Sequence, residues 1–140
     1  MIPTERMREF IQKLKIKSSA NQVRWMQEEV KAPSHMSKMV YYRVLLPSSV
    51  FRIGLQCPNS KPVIFVAEIH TRDGLVLGRL AAPAEPGDTD AIADSELLQS
   101  VFYDAERVTT GWDSLLNTIE SSFESDQIIG EIPEHEEVMS

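Results

Sequence analysis

Glu68 and His70 stand two residues apart, a spacing that puts a carboxylate and an imidazole on one face of a β-strand. Together they are half of a metal site, or the beginnings of acid–base chemistry. No further ligand follows nearby. His35 and His135 fall in a loop and in the C-terminal tail, and the paired-cysteine spacing of a zinc site is missing. The pair reads more simply as the polar end of a strand entering a hairpin, so neither a metal nor a cofactor is expected. Cys57 is the single cysteine, and a catalytic thiol would need an imidazole such as His70 from a neighbouring strand. It sits on the apolar side of an alternating segment, where a thiol usually behaves as a small inert hydrophobe. The sequence has no Gly-x-Ser-x-Gly elbow, phosphate loop or dinucleotide fingerprint. No catalytic residue is assigned, and a non-enzymatic role is favoured.

Interaction chemistry is better represented. Tyr41, Arg43, Arg52, Gln56, Glu68 and His70 are expected to populate an open sheet face and to bind another protein or a second copy of this chain. Asn21, Gln22 and Arg24 offer an alternative. At the start of a helix they would suit base edges in a major groove, although no third helix precedes the sheet and the joint has no glycine.

The elements that must position these residues centre on four β segments: Val40–Leu46, Val50–Cys57, Pro62–His70 and Leu75–Ala81. The first three are rich in β-branched and aromatic residues. The second alternates, with Phe51, Ile53, Leu55 and Cys57 on one side and Val50, Arg52, Gly54 and Gln56 on the other. Short connections with turn chemistry, Pro47-Ser48-Ser49, Pro58-Asn59-Ser60-Lys61 and Thr71-Arg72-Asp73-Gly74, predict an antiparallel meander.

Two helices are expected before the sheet. Thr4 caps the first, with Met7, Phe10, Ile11 and Leu14 as its stripe to about Lys17. Ser19-Ala20-Asn21-Gln22 reads as a capping box opening a second, which runs to about Lys31 on Val23, Met26 and Val30. Trp25 lies off that stripe and is expected to fill the angle between the helices. After a mobile acidic loop over 82–93, Asp94 or Ser95 caps a C-terminal helix on Leu98, Val101, Phe102, Ala105 and Val108. Gly111 interrupts it, and Thr110 with Asp113 offers a fresh cap. Trp112, Leu115, Leu116, Ile119 and Phe123 carry the apolar face onward, as one kinked helix or as two.

The expected fold is therefore α+β: two N-terminal helices, a four-stranded antiparallel meander and one long or broken C-terminal helix. Residues 1–124 form one domain, and 125–140 a disordered acidic tail. The net charge of −7 conceals a split. Residues 1–72 carry 12 Lys and Arg against 5 Asp and Glu (+7), and 73–140 carry 2 against 16 (−14). The plain reading is that one half pairs with the other. The sharper one is a nucleic-acid contact by the basic half, with the acidic tail competing for the same surface. No apolar run approaches a membrane span, Met1–Arg6 shows no signal-peptide pattern, and a lone cysteine suits a reducing compartment. These features predict a cytoplasmic protein with no membrane partner. The leading expectation is a homodimeric protein-binding module or adaptor, resembling secretion chaperones in kind; nucleic-acid binding is the alternative.

Overall fold

A computed structural model describes residues 1–126, 128 and 130. Among these residues the fold is α+β, with three α-helices and one five-stranded antiparallel sheet. In chain order the elements are α1 (Thr4–Ser19), β1 (Met26–Glu28), β2 (Met36–Leu46), β3 (Ser49–Pro58), β4 (Ile64–Thr71), β5 (Val76–Pro83), α2 (Ile92–Thr110) and α3 (Trp112–Glu124). The chain divides into two compact units, Met1–Thr110 and Gly111–Ser140. Most of the expected tail, namely Gln127, Ile129 and residues 131–140, lies outside the described residues.

In the first unit the sheet order follows the sequence, and every pairing is antiparallel. The four expected strands are β2 to β5. The hairpin between β4 and β5 turns at Gly74, which has φ +97°. The Thr71 hydroxyl donates to the Asp73 carboxylate and holds it below its usual pKa.

The expected second helix is replaced by a fifth strand. Residues 18–22 close a helix instead of opening one. Asn21 adopts φ +58°, its N–H donates to the Ser18 carbonyl, and the Gln22 N–H reaches back to the Lys17 carbonyl at 2.9 Å. That is the Schellman stop, with asparagine in the left-handed position where glycine is commonest. Val23 and Trp25 then alternate toward the core, and Met26, Gln27 and Glu28 pair with Arg43, Tyr42 and Tyr41 of β2. Trp25 is buried, as a filler should be. However, it packs edge-on against Phe51 of the sheet, and its indole N–H donates to the buried Ser18 hydroxyl at 2.8 Å. Ser18 in turn donates to Asp104 of α2.

Other caps differ from expectation too. Pro3, rather than Thr4, precedes α1. Asp88 caps a short 3-10 turn, Thr89–Ala91, that feeds directly into α2. Asp94 and Ser95 therefore lie inside the helix. Asp94 accepts a two-pronged bond from Arg8 of α1 at 2.8 and 2.9 Å, and the Ser95 hydroxyl donates to the Pro83 carbonyl. Val108, expected on the buried stripe of α2, is exposed.

Both helices of this unit cover the same sheet face. Met7 and Ile11 of α1, with Leu98, Val101, Phe102 and Ala105 of α2, meet Tyr42, Phe51, Ile53, Phe65, Ala67 and Leu80. Phe102 is the hub, with its ring centroid 5.3 Å from those of both Tyr42 and Phe65. Burial raises the Tyr42 phenol above its ordinary pKa, the nearby Glu106 carboxylate raises it further, and a Thr109 hydrogen bond partly opposes them. The phenol ionises more readily unfolded, so its contribution is complete below the ordinary value of about 10 and fades as pH rises through the folded value. Urea unfolding at rising alkaline pH should therefore show wild type losing stability faster than Tyr42→Phe. Parallel losses would remove Tyr42 as the source.

Candidate functional site

The sheet face opposite α1 and α2 is laid out by strand register. One row runs Met26, Arg43, Arg52, Glu68, Arg79 across the five strands, and the next runs Glu28, Tyr41, Gly54, Val66, Ala81. No helix of the first unit packs there, because the core contacts of α1 and α2 are made on the opposite face. All six residues expected at a protein-binding surface, Tyr41, Arg43, Arg52, Gln56, Glu68 and His70, are brought to this face.

They do not stand there as free groups. The Tyr41 ring lies against Gly54, since a Cβ built on Gly54 would fall 2.1 Å from Tyr41 Cε1. The Arg52 guanidinium lies over the ring, 3.9 Å from its centroid, in a cation–π stack. Arg52 also sits 3.1 Å from Glu28 and 3.8 Å from Glu68. Gln56 Nε2 donates to the Tyr41 hydroxyl. Four of the six thus brace one another and leave Tyr41 only 2 % exposed. Glu28 Oε2 meets Arg52 as an ion pair without hydrogen-bond alignment, and two further buried atoms, Arg43 Nε and Arg52 Nε, have no hydrogen-bond partner among the described residues. At the far end of the face, His70 Nδ1 lies 2.8 Å from the Thr71 carbonyl.

The other expected constellations are not assembled. His70 pairs with Val50, seven residues along β3 from Cys57, so the two lie about 23 Å apart at roughly 3.3 Å per residue. They also occupy opposite faces, which removes a thiol–imidazole pair. Glu68 is engaged with Arg52. Among the described residues no three His, Cys, Asp or Glu side chains cluster as metal ligands, and no helix is long and apolar enough to cross a membrane. Asn21, Gln22 and Arg24 lie in the turn after α1 and the approach to β1, so they line no recognition helix.

The second unit holds the other notable surface. Gly111, with φ +71°, separates α2 from α3, so residues 92–124 form two helices, and Gly111 itself takes the N-cap position expected of Thr110. On α3, Trp112, Leu115, Leu116, Ile119 and Phe123 recur at helical spacing and are between 40 and 65 % exposed. A lone exposed apolar residue is unremarkable, but five on one stripe of a 13-residue helix form a contiguous patch. The stripe is visible in the sequence; the exposure of its side chains is not.

No protein-family model matches this chain, and neither a curated protein nor a solved structure matches it at a significant level.

Proposed function

We propose that this chain is a non-enzymatic protein-binding module, an adaptor of the secretion-chaperone kind, that works as a homodimer in the cytoplasm. One observation carries the reading: the exposed apolar stripe of α3, the pattern by which amphipathic helices enter grooves of partner proteins. The braced sheet face supports it as a second, rigid surface. Nucleic-acid binding retains only the basic charge of residues 1–72, because its helix-borne readers are gone.

The test is mass in solution by light scattering, on the full chain and on Ile119→Glu/Phe123→Glu. Wild type should be dimeric at low and moderate salt. The variant should be monomeric with the same unfolding midpoint, since neither residue is buried. A wild type that is monomeric at every concentration, or a variant that dimerises unchanged, would overturn the proposal.

A further inference from the structure

An apolar cavity of about 370 Å³ opens between α1 and the end of the sheet where β2 turns into β3. Phe10 and Leu14 of α1 form one wall, and Phe51 and Ile69 of the sheet form the other. Lys13 and Lys17 stand at its edge. Both are exposed, and among the described residues neither forms an ion pair. They are one helical turn apart, about 6 Å along α1. An apolar slot with two uncommitted cations at that spacing suits an apolar helix flanked by carboxylates at the same spacing.

This chain supplies such a helix. At 100° per residue, the α3 stripe of Trp112, Leu115, Leu116, Ile119 and Phe123 spans one side, and Glu120 and Glu124 fall together on one flank, also one turn apart. The opposite flank holds Thr118 and Ser122, and α3 has no lysine or arginine. Resting on the protein-binding reading above, we infer that the cavity beside α1 receives α3 of a second copy, with Ile119 and Phe123 entering it and Glu120 and Glu124 facing Lys13 and Lys17.

Area favours a reciprocal arrangement. A 13-residue helix is about 20 Å long, so a single docked helix falls short of the roughly 800 Å² per partner of a standard interface. Two copies exchanging helices bury two such contacts at once, and the two-fold closes the assembly at a dimer.

Charge reversal with mixing tests it. Lys13→Glu/Lys17→Glu and Glu120→Lys/Glu124→Lys, each alone, should dimerise at least about tenfold more weakly than wild type. An equimolar mixture of the two should recover the dimer, because each groove then meets a helix of opposite charge. The four changes in one chain should recover it as well. Thermal unfolding of each variant confirms that the fold is intact. Undiminished dimerisation of the lysine variant would place the receptor elsewhere and overturn the inference. Recovery by the fourfold variant without recovery by the mixture would overturn it in favour of docking within one chain. If Ile119→Glu/Phe123→Glu abolishes the dimer while both charge variants keep it, the binding role of α3 stands and only this receptor fails.

Discussion

Gly54→Ala should destabilise the first unit by about 2–4 kcal/mol, a large effect for adding one methyl group. The added Cβ would lie 2.1, 2.3 and 2.7 Å from Cε1, Cδ1 and Cζ of Tyr41, far inside any real contact. The Gly54 backbone cannot withdraw, because β3 is paired on both sides, with Tyr41 of β2 and Val66 of β4. The ring must therefore leave, and Arg52 loses the surface it stacks on while remaining between Glu28 and Glu68. Gln56 loses its hydroxyl acceptor. The double variant Tyr41→Ala/Gly54→Ala separates collision from intrinsic preference. With the ring gone, alanine at 54 should cost under about 0.5 kcal/mol or even stabilise, since glycine is the poorer strand residue. Urea unfolding of the four proteins in that cycle gives the coupling. A Gly54→Ala protein as stable as wild type would mean that Tyr41 does not lie on the glycine.

That prediction rests on something the sequence shows only in part. Period-two alternation in Phe51, Ile53, Leu55 and Cys57 places Arg52, Gly54 and Gln56 on the other face, and the Asp73-Gly74 turn pins the last hairpin. The meander and the membership of the polar face follow from those local signals. Which residue covers which does not. Tyr41 meets Gly54 because the register sets those two opposite each other, and register is a relation between strands. The one hint was a lone glycine inside a strand pattern, which often marks a close approach.

The missing second helix has a different cause. Ser19-Ala20-Asn21-Gln22 contains residue types that start helices and residue types that stop them, and asparagine tolerates the left-handed conformation that ends α1. Val23, Met26 and Val30 fit a helical period, but Val23 and Trp25, two residues apart, also fit one face of a strand. Pairing with β2 and burial of Trp25 against Phe51 decided between them. Propensity over a dozen residues is a weak prior beside such tertiary contacts.

The C-terminal helices make the last distinction. In the sequence their apolar faces run on almost in phase, so Phe102 and Phe123 look equivalent. Phe102 is 1 % exposed and Phe123 is 65 % exposed. Phe102→Ala should therefore cost about 3–5 kcal/mol, the range for emptying an aromatic site in a core. The cavity would open among Tyr42, Phe65 and Tyr103, whose rings all contact that of Phe102. Phe123→Ala, measured at a concentration low enough to keep the protein monomeric, should fall within about 0.5 kcal/mol of wild type. Its effect should appear in self-association instead, because truncating an aromatic anchor removes binding energy that no fold contact supplied. Urea unfolding and light scattering on the same two proteins read both quantities. Comparable losses of stability would show that Phe123 belongs to a core after all and would remove the exposed stripe on which the binding role of α3 depends. A large loss for Phe102 alone, joined to weakened dimerisation for Phe123 alone, would assign one helix to building the molecule and the next to joining it to another.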